Sequence, residues 1–174
     1  MNFSLHESIN ILDRTPRVLT VLLLGLPEHW VKRNEGPDTW SAYDILGHLI
    51  HGERTDWVPR MEIILSNKRN KKFEPFDRFA QFREDQKLTM SQLLEEFTVM
   101  RERSLSNLRS KKLTEAMLTK KGVHPELGEV TLAHLLATWV VHDLNHIHQI
   151  CRVLAKQYGA EVGPWAQYLG VLRK

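Results

Sequence analysis

The residues best suited to chemistry are two histidines four apart, His142 and His146. On a helix this spacing puts both side chains on one face, about one turn (~5.4–6 Å) apart along the axis. Two imidazoles so placed can reach one metal ion at ~2.0–2.1 Å. They interrupt a run of Leu132, Leu135, Trp139, His142, His146, Gln149 and Val153, whose steps of three and four mark a helix face turned toward a bundle core. Two imidazoles side by side in a core need partners for their nitrogens. A divalent cation is a partner for both, and neutral imidazole is the ligand form. The same spacing also fits two core histidines hydrogen-bonded to neighbours.

A third ligand has to come from another element. His48 and His51 share a helix whose apolar arc passes through Ile45, Leu46, Leu49, Trp57 and Leu65. His48 lies about 60° from Ile45, at the edge of that arc, and His51 about 120° away. His48 is therefore the inward candidate, and His51 is expected to meet solvent. His134 and His148 fall off the seam of the last helix and read as surface residues. His6, His29 and His124 sit near a terminus or loops.

Glu53 falls inside the apolar arc between Leu49 and Trp57. A buried carboxylate needs a partner. An ion pair with Arg17, Arg54 or Arg60 and a place in a binding pocket are both open. Trp57 and Gln149 are the other expected pocket residues; Gln149 could equally tie helices together through its amide. Cys151, beside Ile150 and near Val153, reads as a packed core residue. No Glu-x-x-His occurs, which sets aside a ferritin-like di-iron site, and no HExxH, GxSxG or Gly-rich phosphate loop is present.

The elements that must position these residues are helical. One helical stretch is expected from Ser4 to Leu24, interrupted at Thr15 and restarted by Pro16. A second runs from Ser41 to Ser66, with a kink or a shift in hydrogen bonding at Pro59. Residues 67–88 form a long polar connection suited to a crossover between parallel neighbours. A third helix spans Thr89 to Arg109. Gly122 to Val130 reads as a turn or small hairpin. Thr131 caps a fourth helix that ends near Tyr158, before Gly159. The tail from Val162 is expected to pack back on the bundle. The fold class is all-α, a single domain over residues 1–174.

Bulk composition agrees. Of 174 residues, 42% are hydrophobic and 26% charged, an ordinary globular balance that argues against disorder. Net charge is +3, so the cluster of Lys68, Arg69, Lys71 and Lys72 reads as a solvated loop, and no nucleic-acid partner is expected. The single cysteine excludes an intrachain disulfide, and no secretory or membrane-spanning segment stands out. A cytoplasmic protein without a membrane partner is the expectation.

Four stretches carry a resemblance: RTPRVLTVLL from Arg14, TWSAYDILGHLIHGERTDWVPR from Thr39, HPELGEVTLAHLLATWVVHDLNHIHQI from His124, and GPWAQYLG from Gly163. In this order the chain resembles the DinB-like (YfiT-like) superfamily of metal-binding four-helix bundles. The resemblance implies long crossover connections and one divalent metal ion on His48, His142 and His146. Zinc or nickel is the expected ion, with iron or manganese as alternatives. It also implies a small-molecule substrate, a low-molecular-weight thiol such as bacillithiol or mycothiol as co-substrate, and a homodimer. The expected activity is thiol S-transfer to small electrophiles. Metal-dependent hydrolysis and a non-catalytic, stress-related metal-binding bundle are the alternatives.

Overall fold

The structure, a computed structural model, describes residues 3–84 and 87–173. Residues 85 and 86, inside the expected 67–88 connection, and residues 1, 2 and 174 lie outside the described set. The order of elements is α1 (Leu5–Leu12), α2 (Thr15–Leu23), α3 (Glu28–Lys32), α4 (Ala42–Thr55), α5 (Trp57–Leu65), α6 (Met90–Ser110), α7 (Glu115–Leu118), β1 (Lys121–His124), β2 (Gly128–Thr131) and α8 (Leu132–Lys156). The short α3 and α7 have no counterpart in the sequence expectations.

Local chemistry sets the helix starts. Ser41 and Asp44 form a reciprocal capping box: the Ser41 hydroxyl accepts from the Asp44 N–H, and the Asp44 carboxylate accepts from the Ser41 N–H at 2.9 Å. Thr89 with Gln92 and Thr131 with His134 cap α6 and α8 in the same way. The second helical stretch is interrupted one turn before Pro59, as the proline predicts, with backbone hydrogen bonds from Asp56 to Gly52 and from Arg60 to Asp56 spanning the junction. It breaks at Asp56 (φ −107, ψ −73) into α4 and α5. Pro59 is the cause: it lacks an N–H, and its ring collides with the carbonyl four residues back, at Thr55.

Four rods result: α1 with α2, α4 with α5, α6, and α8. Contacts between them fix their directions. The Tyr43 hydroxyl donates to the Leu88 carbonyl at 2.7 Å, start to start, and Asn107 donates to Glu62 at 3.2 Å, end to end. The second and third rods are therefore parallel, as the long connection requires. Trp139 meets Glu53 while His142 meets His48, so α8 runs against α4. Leu19 and Leu23 share an apolar cluster with Leu93 and Phe97 near the start of α6, while Leu12 shares one with Leu105 and Leu108 near its end, so the first rod runs against α6. The topology is up-down-down-up.

The crossover is anchored on the hairpin that precedes α8. Phe73 N–H donates to the Val123 carbonyl at 2.9 Å, and Val123 N–H to the Lys71 carbonyl at 3.0 Å. The buried Phe73 ring packs against Gly122, where an added Cβ would come within 2.6 Å of its edge. Only glycine admits that contact. One apolar cluster gathers Leu19, Leu23, Ile45, Leu49, Phe97 and Ile150. A second gathers Leu12, Trp57, Phe73, Leu105, Leu132 and Trp139. Cys151 is only half-buried, because it falls on the flank of α8 beside the buried Ile150. The last turn of the tail, Gly170–Leu172, packs on α8. Among the described residues no helix is long and apolar enough to cross a membrane.

Between the two clusters sits one cation. Arg101 is 1% exposed, and all five of its N–H groups are used. Nε and Nη2 donate to Glu53 Oε1 at 3.0 and 2.8 Å. Nη1 and Nη2 donate to Asp143 at 2.6 and 3.0 Å, and Nη1 also donates to the Leu12 carbonyl at 2.9 Å. This overturns the expected partners of Glu53. Arg54 turns outward to Glu84 and Glu96, and Arg60 is taken by Asp56. Removing one member of a buried ion network strands the others without water. Arg101→Met is predicted to lower the unfolding free energy by about 3–5 kcal/mol. Urea denaturation measures this, and a loss under about 1 kcal/mol would contradict the role assigned to Arg101.

Candidate metal centre

The three histidines come from two antiparallel rods. His48 stands on α4, and His142 and His146 on α8. Their imidazoles converge: His48 Nε2 lies 3.2 Å and His146 Nε2 3.1 Å from His142 Nε2. Each residue offers one ring nitrogen to a set lying within 4.8 Å of one another. Three ligands at ~2.0–2.1 Å around a tetrahedral ion would have nitrogens roughly 3.3 Å apart. A ring nitrogen has one in-plane site, a proton or a lone pair. Three converging Nε2 atoms therefore cannot all satisfy one another with linear hydrogen bonds, whereas a cation takes all three lone pairs. The residues present fit a single divalent ion.

Electrostatics keep these rings in the ligand form. Burial, then the neighbouring His146, pushes His48 down to about 3. Burial, then His146 and His48, pushes His142 down to about 2. His146 is lowered by burial, against an opposing hydrogen bond from Gln149.

Each ring is held differently. His146 Nδ1 lies 2.9 Å from Gln149 Oε1, which places a proton on Nδ1 and leaves the Nε2 lone pair free. His142 Nδ1 is buried without a partner, and the ring is fixed by packing edge-on to Trp57 at 5.1 Å. His48 is packed between Trp40 at 4.9 Å and Phe76 at 5.4 Å. Its Nδ1 has no hydrogen bond of good geometry, although the main chain at Arg78 is near enough to favour a proton on the ring.

The support continues inward. Trp57 stacks on Trp139 at 5.7 Å with planes 11° apart. Trp139 N–H donates to Glu53 at 3.1 Å, and the Arg101 guanidinium lies 5.1 Å from the Trp139 ring. A continuous column of packed groups thus joins the buried cation to His142.

The crossover forms the outer wall. Gln81 is buried, and its Cβ lies 3.0 Å from where a Cβ on Gly47 would stand, so a side chain there would have to push the loop back by a few tenths of an ångström. His51 does not face solvent as expected. The loop folds over it, Phe76 lies 5.2 Å from its ring, and its Nδ1 meets Glu84 at 3.2 Å.

The imidazoles open into a cleft of about 890 Å³. Trp57 and Gln149 line it. Glu53 does not; it lies behind the wall on Arg101. Trp40, Asp56, Arg60, Phe76, Arg78 and Phe79 line the cleft and were missed by sequence reasoning. The aromatic spacing of the 73–82 loop is the one signal that could have found part of this wall. His124 and His134 also reach the cleft, although their loop and off-seam positions had marked them as peripheral. Asp56 is buried beside Arg60, and burial raises its carboxyl to about 6 against the opposing pull of Arg60.

The depressed histidine values have a consequence for pH. An ordinary imidazole titrates at 6.5, and His48 and His142 titrate far below it. Their contribution to stability is complete above pH 6.5 and is lost as pH falls toward 3, because the unfolded chain takes up protons first. In the folded protein protons compete weakly for the site over that window. Between pH 7.5 and 5.5, three unshifted imidazoles would weaken metal binding about a thousandfold. The prediction here is a loss of about tenfold or less, measured by competition with a chromophoric chelator. A loss near a thousandfold would contradict it.

A sequence model of the DinB superfamily matches residues 11–150. No curated protein gives a significant sequence match. Among solved structures, YfiT from Bacillus subtilis is similar, with a TM-score of 0.73 at 19% identity over 88% of this chain and 87% of that one. It is described as a probable metal-dependent hydrolase with an unusual four-helix bundle topology. At that identity the likeness is one of fold, a four-helix bundle. The family model covers most of the length, and the chain belongs to the DinB superfamily.

Proposed function

We propose that this chain is a metal-dependent enzyme that transfers a low-molecular-weight thiol to a small electrophile. The observation that carries the reading is the convergence of three neutral Nε2 atoms at the wall of a large open cleft. His48, His142 and His146 would hold one divalent ion, and three protein ligands with an open position mark a catalytic rather than a structural site. An all-imidazole donor set suits zinc or nickel first, and iron after them. When bound, the ion supplies a positive charge that favours the thiolate over the thiol near neutral pH.

The protein's own groups do the rest. Gln149 fixes the tautomer of His146, and Trp57 fixes the plane of His142. Trp40, Phe76 and Trp57 make the walls around the imidazoles apolar, which shields an ionised nucleophile from bulk water. A volume of about 890 Å³ is at the large end for a small-molecule site, with room for two reactants side by side. That size favours a bimolecular transfer. The second reading is hydrolysis, favoured by the description of the similar YfiT fold as a probable metal-dependent hydrolase. The same three imidazoles would then serve to acidify water.

The test uses untagged protein. Elemental analysis is expected to give about one divalent ion per chain in the parent and almost none in His142→Ala. Thiol-dependent consumption of an aryl halide should disappear with the metal. Full metal content in the variant would contradict the ligand assignment. Turnover of esters with no thiol present would shift the reading to hydrolysis.

A further inference from the structure

Three arginines line the cleft: Arg60, Arg78 and Arg152. Two of them are already neutralised. Arg60 Nε lies 2.6 Å from Asp56, and Arg152 Nε lies 2.8 Å from Glu35. On the crossover itself, Arg83 pairs with Asp77, and Glu84 is taken by Arg54 and His51. Among the described residues Arg78 has no carboxylate partner. The remaining acids of the cleft, Asp38 and Glu126, are exposed to solvent.

The position of Arg78 is specific. Its guanidinium carbon lies 5.6 Å from the centre of the Phe79 ring. Two residues earlier, Phe76 meets His48 edge-on at 5.4 Å, and the charge of Arg78 is close enough to act on that ring. Trp40 touches both His48, at 4.9 Å, and Phe79, at 6.3 Å. One free cation and three aromatic rings therefore form a continuous wall that ends at the histidines. A guanidinium is a planar fork whose N–H groups match a carboxylate, and stacking on a ring helps fix its plane.

We propose that Arg78 receives the carboxylate of the substrate, so that the electrophiles of this site are small organic acids. The apolar or aromatic body of such an acid would lie against Trp40, Phe76 and Phe79, which brings its reactive carbon toward the imidazoles. This assignment rests on the cleft being the substrate site. Arg78 acts in recognition, with no part assigned to it in bond making.

The test is calorimetric titration of the zinc-loaded protein with phenylacetate and with its neutral counterpart, phenylacetamide. The parent is expected to bind the acid about tenfold more tightly than the amide. Arg78→Gln should remove that preference while keeping amide binding, melting temperature and metal content, and Arg78→Lys should restore part of it. No preference in the parent would overturn the proposal. So would a preference that survives in Arg78→Gln, because the carboxylate is then read by another group, the metal included. Titration of metal-free His142→Ala separates the two readings: a preference made by Arg78 persists there, whether or not thiol transfer proves to be the reaction.

Discussion

The arrangement depends on Arg101. Its five N–H groups reach one residue on each of the other three rods: Leu12, Glu53 and Asp143. A guanidinium buried to this degree tolerates no slippage, since a shift of any rod by one turn would leave a charge unpaired and away from water. Burial pushes Glu53 up and Arg101 pulls it down; the net direction is upward, as one cation is shared between two carboxylates. Such a network is weak as a source of net stability and strong as a determinant of register. Register is what the histidines need, because His48 faces His142 and His146 only when α4 and α8 are aligned to within a fraction of a turn.

The hub and the candidate centre are coupled through packing. Glu53 accepts from Trp139, Trp139 stacks on Trp57, and Trp57 sets the plane of His142. Two of the three imidazoles lack a good hydrogen bond on their second nitrogen, so rigid aromatic neighbours take over the orienting role. The crossover completes this by carrying Phe76 and Arg78 to the histidines and pinning itself through Glu84, Gln81 and Phe73. The up-down-down-up topology is what makes that possible. Joining two parallel rods requires a chain long enough to span the bundle, and this one spends its extra length on a wall of the cleft.

Much of this was legible in the sequence because it rests on local rules. Thr131 announced α8 as its cap, and the hairpin and the parallel pair of rods followed from turn residues and loop length. His48, His142 and His146 were recognisable from periodicity together with the family resemblance. The misses share a cause, which is that they are set by partners distant in sequence. Arg101 lies four residues after the buried Phe97, and Asp143 four after Trp139, so both were inward by spacing. Their charge disguised them, because a charged residue on a helix is ordinarily solvated. His51 looked exposed because nothing on its own helix covers it, and the crossover that does cannot be placed from sequence. The buried stripe of α8 also passes through Leu136, Val140 and Asp143, which leaves His142 half-buried at the edge of the cleft rather than in the core.

X-ray absorption spectroscopy of the zinc-loaded protein tests the account most directly, because it reads the ligands of the ion without assuming an activity. The arrangement of His48, His142 and His146 predicts three imidazole nitrogens at ~2.0–2.1 Å and one further light atom from solvent or buffer. A shell with fewer than three imidazoles, or one closed by carboxylate or thiolate from the protein, would contradict the three-histidine centre and the open position on which the proposed chemistry depends.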